Sequence, residues 1–367
     1  MDFHNNLVVL PGIFCINKHT NRLIYFSCGV KITIKFKLQG YFMRYSRLLS
    51  LINGLLMSGN VVAAIIPNVS VFSPYVDLTL NTHWDSQAQD MVPMNLTKPA
   101  SDLGIQSFHL AFLTDSGICQ PAWGGQQAYG LDKQWGKQET DSLTRAGVQL
   151  TVSFGGASGS DLSQNCDQNQ LLGIFNQVLN TYHASALDFD IENGTANVPE
   201  LIRALNLFHQ QHPEIKLSFT LPVMPEGLTG EGKEVIVAAK QAGIQFNVNI
   251  MAMDYGPAYS GDMAEYAIQA ATKTHQFLKE IYADKTAEDL WQQIEVTPMI
   301  GVNDVNTEQF TLANADQLRV FAQNYKLGGL SMWSFARDKP CADKWASPVC
   351  SGNNLQTREY EYVTHLK

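Results

Sequence analysis

Three acidic side chains alternate with two apolar ones in a short stretch of the sequence, Asp188-Phe189-Asp190-Ile191-Glu192. Successive side chains of a β-strand point to opposite faces, so the three acids share one face and the two apolar residues share the other. Crowded carboxyl groups repel one another's charges, which raises the proton affinity of at least one of them. The stretch therefore predicts a carboxylic acid that keeps its proton near neutral pH and works as a general acid.

Two other interpretations of these acids are a solvated edge strand and a cation-binding loop. Phe189 and Ile191 are poorly suited to a calcium loop, which needs glycine and oxygen ligands at set spacings. A metal-dependent hydrolase needs further ligands, and no histidine lies at ligand spacing beside the acids. We predict an active site that uses neither a metal nor another cofactor.

The surrounding sequence shows what could carry these acids. Eight short apolar runs that end in turn residues predict strands at 74–80, 107–112, 148–154, 186–191, 216–221, 247–253, 296–300 and 329–333. Apolar residues at three- and four-residue intervals predict helices at 169–182, 199–211, 233–242, 264–282 and 315–325. The alternation predicts an α/β fold, a (β/α)8 TIM barrel in a single catalytic domain, although a doubly wound open sheet shares this pattern.

Chemistry in such barrels lies at the C-terminal ends of the strands. The unusual clusters of this sequence fall there: Gly155-Gly156 after the third predicted strand, the acids at the end of the fourth, Asp254-Tyr255 after the sixth and Trp333 at the end of the eighth. We therefore expect these residues to meet at one end of the barrel.

The segment 185–192, SALDFDIE, resembles the DxxDxDxE signature of glycoside hydrolase family 18, the chitinases and related enzymes. Segment 153–156, SFGG, resembles the SxGG motif of the preceding strand, and segment 251–256, MAMDYG, is similar to the sixth-strand motif. Trp333 is similar to the tryptophan of the eighth strand. From the first to the last, these motifs span most of the segment 71–367. One position differs, because Ser185 stands where the signature begins with Asp, and this leaves open how charge is relayed beneath Asp188.

The resemblance implies a role for each acid. Glu192 would protonate the glycosidic oxygen while the substrate's own acetamido oxygen attacks the anomeric carbon, which gives a retaining reaction. Asp190 would accept a hydrogen bond from the acetamido N–H and stabilise the positive charge that develops there. Asp188 would lie deeper and tune Asp190, with support from Ser153.

The resemblance also suggests residues that contact the sugar. Tyr255 is expected to face inward with Met253 and to donate to the acetamido carbonyl, whereas Asp254 would face away in a supporting role. Trp333 would form the floor under the distorted sugar, unless it is an ordinary core tryptophan. Gly155 and Gly156 are counted with these substrate-binding residues.

Two further tryptophans, Trp84 and Trp123, follow the first and second predicted strands. Each is a candidate for the cleft wall and equally a buried loop anchor. The interval 302–327 is too short for the α+β insertion that deepens the groove in some members of the family. We therefore expect an open cleft and an endo-acting chitinase that hydrolyses β-1,4 bonds in chitin and N-acetylglucosamine oligomers.

Two alternatives remain. One is an endo-β-N-acetylglucosaminidase that acts on glycoprotein glycans, because that activity shares the fold and motifs. The other is a chitin-binding lectin on an inactive barrel. Such lectins typically lose the terminal acid of the signature, whereas Glu192 is present here.

Composition limits the partners. The 367 residues are 45% hydrophobic and 16% charged, which suffices for one large core. A formal net charge of -9, with no cluster of Lys and Arg after residue 64, argues against a nucleic-acid partner. We expect a monomer whose partner is chitin or another glycan that contains N-acetylglucosamine.

The N-terminal stretch differs from the rest of the chain. Residues 1–64 hold seven of the 25 basic residues and one of the 34 acidic residues. Within it, Met43 is followed by basic Arg44 and Arg47, a short apolar run at 48–57 and small residues at 62–64. This order is typical of a secretory signal peptide.

We predict that 43–64 is a signal peptide, that 1–42 is an upstream extension ahead of a start at Met43, and that 65–367 is the family 18 catalytic domain. A genuine N-terminal arm or a longer leader is the alternative. The apolar run is too short for a membrane span, so we expect a secreted protein, extracellular or periplasmic, without stable membrane insertion after cleavage.

Cysteine usage agrees with export. Four cysteines follow the leader, and an even number in an oxidising compartment suggests two disulfides. Proximity pairs Cys341 with Cys350, and elimination pairs Cys119 with Cys166. Four unpaired thiols are the alternative.

Overall fold

The computed structural model describes residues 71–367 and four short strands ahead of them. The chain divides into two units, Met1–Ile65 and Ile66–Lys367. The first unit contains consecutive antiparallel strands at Leu7–Val9, Phe14–Asn17, Arg22–Ser27 and Val30–Ile34. The predicted signal peptide at 43–64 lies outside the described residues.

The second unit is built on eight parallel strands, and all eight predicted strands are confirmed. The first strand, β1, consists of two pieces, Val71–Phe72 and Tyr75–Asp77. The others are β2 (Ser107–Asp115), β3 (Gln149–Gly155), β4 (Ala186–Asp190), β5 (Lys216–Met224), β6 (Asn247–Ala252), β7 (Ile294–Pro298) and β8 (Gly329–Leu330).

The two pieces of β1 close the strands into a ring. Strands β2 to β8 pair in sequence order, each parallel to the next. The first piece of β1 pairs with β8, where Val71 is opposite Gly329, and the second pairs with β2, where Tyr75 is opposite His109. The predicted closed barrel is therefore confirmed, and the C-terminal ends of all eight strands lie at the same end of the ring.

Helices connect the strands and cover the outside of the barrel. They are α1 (Thr97–Leu103), α2 (Lys137–Arg145), α3 (Gln168–Tyr182), α4 (Val198–Gln211), α5 (Gly230–Gln241), α6 (Met263–Ile281), α7 (Ala287–Gln292), α8 (Leu312–Tyr325) and α9 (Glu361–Leu366). The five predicted helices are confirmed to within three residues at each end.

Local sequence explains where these helices begin. Asp167 accepts hydrogen bonds from the backbone N–H groups of Asn169 and Gln170, and the Gln170 side chain closes a capping box at the start of α3. Thr311 and Asn314 form the same arrangement at the start of α8. These side chains satisfy N–H groups that the helix itself leaves unpaired.

Short strands extend the loops beyond the C-terminal ends of the barrel strands. A hairpin follows β1 (His83–Asp85 and Asp90–Val92), and another follows β7 (Gly301–Val302 and Gln309–Phe310). Pro121–Trp123 pairs with β2, and Gly227–Leu228 pairs with β5. Four turns of 3-10 helix lie at Gln127–Tyr129, Leu131–Lys133, Leu162–Gln164 and Phe335–Arg337.

The alternation predicted for the acidic strand is present in β4. Phe189 is 2% exposed and packs outward against Phe154, Phe175 and Phe219, with ring centroids 5.3, 5.4 and 6.0 Å away. Asp188 is on the opposite face, inside the barrel, and is fully buried. Burial of the aromatic face fixes the register that holds the acidic face inside.

Both predicted disulfides are present. Cys119–Cys166 joins the loops after β2 and β3, and Cys341–Cys350 lies within the loop after β8, with S–S distances of 2.05 and 2.13 Å. No helix in the described part of the chain is both long enough and apolar enough to cross a bilayer.

Candidate active site

A cavity of about 180 Å³ lies at the C-terminal ends of the barrel strands. Four carboxyl groups line it, those of Asp190, Glu192, Asp254 and Asp304. Glu192 lies two residues beyond the end of β4 and is partly exposed, whereas Asp190 ends the strand and is 5% exposed. The cavity therefore brings together the last two acids of the predicted trio, Asp190 and Glu192, and adds Asp254 and Asp304 from neighbouring loops.

Asp188 lies beneath the cavity and is surrounded by hydroxyl groups. Its Oδ2 accepts hydrogen bonds from Ser153 at 2.6 Å and Tyr75 at 2.9 Å. Its Oδ1 accepts from Ser218 at 2.6 Å and Thr220 at 2.8 Å. Four donors suit a carboxylate, which only accepts hydrogen bonds.

The predicted support from Ser153 is thus present, but this side chain is fully buried and its contact is with Asp188 rather than with substrate. Ser185, which replaces the first Asp of the signature, lies just before β4 and donates to the Leu150 carbonyl. It is not among the hydrogen-bond donors of Asp188. The substitution therefore leaves the four donors around Asp188 intact.

Gly155 and Gly156 have a packing role that differs from the substrate contact expected of them. A Cβ atom on Gly155 would lie 2.2 Å from the Asp190 carbonyl oxygen, and one on Gly156 would lie 2.8 Å from the Phe112 ring. Both residues have φ near +90°, a conformation that favours glycine. They let β3 approach β4 and leave room for the Phe112 ring, and neither lines the cavity.

Asp190 and Glu192 affect each other's protonation. Burial, followed by the charges of Glu192 and Asp188, raises the pKa of Asp190 well above its ordinary value. Burial also raises the pKa of Glu192 to about 7; the hydrogen bond from Asp190 opposes this increase, while Asp254 and Asp304 add to it. Because the pKa values of both groups are raised, at least one of the two carboxyl groups is protonated near neutral pH.

One oxygen of the pair is left without a protein partner. Asp190 Oδ1 is buried and has no hydrogen-bond partner among the described residues. A buried polar atom without a partner is costly, so this oxygen is available to a ligand that donates a hydrogen bond.

The sixth-strand motif departs from the prediction. Strand β6 ends at Ala252, and Asp254 has a φ of +52°, so the alternation of the strand does not continue through it. Asp254 faces the cavity and accepts from the Val305 N–H at 2.9 Å. Met253 also lines the cavity, as predicted.

Tyr255 does not face the cavity, and its predicted inward orientation is wrong. It is 5% exposed and packs against Tyr259 and Tyr266, with ring centroids 5.9 and 6.0 Å away. Burial, with Glu308 and Asp254 nearby, raises its pKa far above the ordinary value, so its hydroxyl stays protonated. The left-handed conformation of Asp254 reverses which of the two side chains enters the site.

Aromatic rings form one wall of the cavity. Trp333 stacks on Phe112, with ring centroids 5.5 Å apart and planes 26° apart, and its edge faces Tyr75 at 6.2 Å. Non-proline cis peptide bonds lie at Ala111–Phe112 and Trp333–Ser334. Trp333 is partly exposed, so it is not an ordinary core tryptophan.

The two outer tryptophans differ from one another. Trp123 is fully buried, and its Nε1 donates to the Tyr182 hydroxyl at 2.9 Å. It is a loop anchor, so its assignment to the cleft wall is wrong. Trp84 is 59% exposed on the hairpin after β1 and does not line the cavity.

Several residues at the site carried no recognised motif. Besides Tyr75, Phe112 and Asp304, these residues are Ala157, Thr220, Thr297 and Met299, whereas Met251, which also lines the cavity, belongs to the sixth-strand motif. Most lie at or just beyond the end of a barrel strand, and this position was the one signal that could have identified them. Asp304 lies in the loop after β7.

A buried arginine lies near two of these acids. Arg337 is 2% exposed, and its Nη2 donates to the carbonyls of Ile300 at 2.9 Å and Val302 at 2.6 Å. Burial lowers its pKa to about 10, while Asp304 and Asp254 act in the opposite direction. Its charge partly balances the two acids that face Glu192.

Known proteins that resemble this chain were found among characterised sequences and solved structures, while no model of a protein family matches it. The chain is 32% identical over 290 residues to the Probable bifunctional chitinase/lysozyme of Escherichia coli (strain K12), covering 74% of this chain and 31% of that protein. It is 31% identical over 290 residues to Endochitinase 11 of Metarhizium anisopliae, and this match covers 74% of this chain and 53% of that protein. The chain thus spans about a third of the length of the first relative and about half of the length of the second.

The structural comparison covers more of the relative. The catalytic domain of a hyperthermophilic chitinase from Pyrococcus furiosus superposes with a TM-score of 0.71 and is 35% identical, covering 82% of this chain and 96% of that domain. This chain shares with that domain a (β/α)8 barrel, the fold in which active sites lie at the C-terminal ends of the strands. The chain belongs to the chitinases of glycoside hydrolase family 18.

The raised pKa of Glu192 predicts a pH-dependent effect on stability. A carboxyl whose pKa is raised by folding contributes stability below its unfolded pKa of about 4.3, and this contribution is lost as the pH rises through about 7. Glu192→Gln should therefore raise the free energy of unfolding at pH 8 by roughly 1–2 kcal/mol, after allowance for solvent screening, and change it little at pH 4.

Guanidinium unfolding at pH 4, 6 and 8 measures this difference. Glu234→Gln, on the exposed face of α5, is the matched control and should give the same small difference at each pH. Equal stabilities of Glu192→Gln and wild type at pH 8 would contradict the electrostatic description of the pair.

Proposed function

We propose that this chain is an endo-acting chitinase that hydrolyses β-1,4 bonds in chitin and N-acetylglucosamine oligomers with retention of configuration. The observation that carries the proposal is the position of Asp190 and Glu192 in one cavity, above a fully buried Asp188 with four hydroxyl donors. Burial raises the pKa values of Asp190 and Glu192, which supports a proton held at this place near neutral pH. Such a pair can deliver a proton near neutral pH and then hold the resulting negative charge.

Glu192 is the proposed general acid and base. It transfers the proton held by the Asp190–Glu192 pair to the glycosidic oxygen as the bond to the anomeric carbon breaks, which leaves both carboxyl groups negatively charged. The acetamido oxygen of the same sugar forms the new bond to that carbon. The Glu192 carboxylate then removes a proton from water, which attacks the anomeric carbon and restores the acetamide. Two displacements at one carbon retain the configuration.

Asp190 is proposed to orient the acetamido group. Its Oδ1, which is buried and without a partner among the described residues, would accept the acetamido N–H. A negative charge on this side would stabilise the positive charge that spreads over the oxazolinium ring. Asp188 keeps its four hydrogen-bond donors throughout the reaction. Its negative charge disfavours the loss of the proton that Asp190 and Glu192 hold between them.

The cavity wall is proposed to bind the sugar face. Trp333, stacked on Phe112, offers an aromatic surface, and Met253 offers an apolar one. Asp254 takes the place that had been expected for Tyr255 and lies where it can accept hydrogen bonds from sugar hydroxyls. Trp84 remains a candidate for an outer subsite, because its ring is exposed in the hairpin after β1.

The loops support cleavage within chains. Between β7 and α8, the chain forms one small hairpin, Gly301–Val302 with Gln309–Phe310, rather than a separate insertion. A cleft with low walls lets a polymer enter sideways, whereas a deep tunnel favours release of dimers from chain ends. We propose that the protein acts as a monomer and needs no cofactor.

Substrate preference separates this proposal from the endo-β-N-acetylglucosaminidase alternative. We expect release of fluorophore from chitobiose and chitotriose conjugates and a broad mixture of products from longer chitin oligomers, detected by mass spectrometry. A high-mannose glycoprotein should remain intact under the same conditions. Release of its glycan with intact chitin oligomers would contradict the proposal, and dimers as the main product at every time point would contradict endo cleavage.

Two substitutions test the acids and exclude a lectin. Glu192→Gln should lower kcat by about 100-fold or more, because general acid catalysis is lost, and retain oligosaccharide binding by calorimetry. Asp190→Asn should also lower kcat strongly, since the acetamide loses its charged partner. Glu234→Gln, the same chemical change on the surface of α5, is the control. Near-normal turnover by Glu192→Gln would show that another group is the acid.

We further propose that the protein is secreted through a signal peptide at 43–64, with 1–42 upstream of the true start and the catalytic domain at 65–367. Support comes from the basic and apolar order of that segment and from the two disulfides. Mass spectrometry of the exported protein should find a mature N-terminus near residue 65. A mature N-terminus upstream of Met43 would contradict this boundary.

A further inference from the structure

Asn249 lies on β6, inside the barrel, and is fully buried. Its Nδ2 donates to the Tyr75 hydroxyl at 2.9 Å and to Thr220 Oγ1 at 3.0 Å. Its Oδ1 accepts from Thr297 Oγ1 at 2.8 Å. Asn249 does not line the cavity, and no hydrogen bond joins it to the three acids in the described part of the chain. The two hydroxyls to which it donates, those of Tyr75 and Thr220, both also contact Asp188.

The number of hydrogens decides the direction of these bonds. A hydroxyl has one hydrogen, so a hydroxyl that accepts from Asn249 is free to donate its own hydrogen to Asp188. Asn249 has two amide hydrogens and uses one for each hydroxyl. The hydroxyl oxygens of Tyr75 and Thr220 are 2.9 Å apart. Neither hydroxyl needs to donate to the other when both donate to Asp188.

The opposite orientation of the amide would be costly. Asn249 Oδ1 would then face Tyr75 and Thr220 and draw their hydrogens away from Asp188. The buried carboxylate would keep only the donors Ser153 and Ser218. In the observed orientation the Thr297 hydroxyl donates to Oδ1 at 2.8 Å, and without this bond Oδ1 would be a buried acceptor with no donor from Thr297.

We propose that Asn249 is a positioning residue that, held by Thr297, directs the Tyr75 and Thr220 hydroxyls toward Asp188 and so keeps the catalytic proton on Asp190 and Glu192. The catalytic part of this inference rests on the proposed function. The part of the inference about the hydrogen bonds and the protonation of the acids does not depend on any substrate.

The groups around Asp188 support an effect on protonation. Its donors are hydroxyls from β1, β3 and β5, and the acids Asp190 and Glu192 follow it in the chain. Burial, with Asp188 and Asp190 nearby, raises the pKa of Tyr75 well above its ordinary value, so Tyr75 remains a donor.

Other charged or titratable groups lie farther out. His109, on β2, stacks on the Tyr75 ring at 4.5 Å, and its Nδ1 contacts the carbonyl and hydroxyl of Ser73. Asp254 and Asp304 act on Glu192, and Arg337 is near these two acids. No cation is among the hydrogen-bond partners found for Asp188 in 71–367, so its negative charge depends on the directed hydroxyls.

The test is the pH profile of kcat/KM for a fluorogenic chitotriose conjugate. Asn249→Leu keeps the side-chain size and removes both donors, so Tyr75 and Thr220 can turn away from Asp188. A further proton then binds the three acids more readily, and the acid-side inflection should move up by about one pH unit. Thr297→Val lets the amide turn and should move the inflection the same way by a smaller amount.

Asn353→Leu is the matched control. Asn353 is 1% exposed, and its Nδ2 donates to the Tyr362 hydroxyl at 2.7 Å, outside the active site. This variant should lose stability without moving the inflection. If Asn249→Leu does not fold, Thr297→Val decides, because it replaces one γ-substituent by a methyl group of similar size.

A carbon-13 titration of the aspartate and glutamate carboxyls provides a second measurement that needs no substrate. The same upward movement should appear in the carboxyl signals that Asp190→Asn and Glu192→Gln identify. If wild type hydrolyses no N-acetylglucosamine substrate, the proposed function is wrong while the titration still decides this inference. Unmoved inflections and carboxyl signals in Thr297→Val and any folded Asn249→Leu would overturn the inference.

Discussion

Burial of the Asp188 and Asp190 carboxyl groups inside the barrel, next to the partly exposed Glu192, is the constraint on which the rest of this site depends. Each charge would be very unfavourable in an apolar interior without partners. The protein resolves this in two ways: Asp188 receives four hydroxyl donors, and the raised pKa values of Asp190 and Glu192 keep a proton on this pair. The hydroxyl donors keep the negative charge of Asp188 in the barrel. That charge helps to hold a proton on Asp190 and Glu192.

The barrel strands supply these partners because their inward side chains meet in layers. Tyr75 comes from β1, Ser153 from β3, Ser218 and Thr220 from β5, and Asn249 and Thr297 continue the network onto β6 and β7. Hydroxyl and amide side chains can pass hydrogen bonds around the ring without adding charge. A carboxyl at the centre is thus stabilised by the polarity of residues that are far apart in the chain.

The packing outside the barrel has a direct part in the chemistry. Phe189 is locked among Phe154, Phe175 and Phe219, which prevents β4 from sliding by one residue and exchanging its acidic face for its aromatic face. Gly155 brings β3 so close to β4 that a Cβ atom would collide with the Asp190 carbonyl. Core packing and catalytic geometry are therefore two results of the same arrangement.

The sequence by itself determined the barrel, the acidic face of β4 and the disulfide pairs, because each follows from local periodicity, alternation or a small number of cysteines. It predicted the place of Trp333 from a motif at a strand end. Tertiary structure alone decided that Asp254 rather than Tyr255 enters the cavity, because a left-handed residue breaks strand alternation. It also decided that Trp123 is buried and that Asn249 reaches the hydroxyls around Asp188, since contacts between distant residues leave no local pattern.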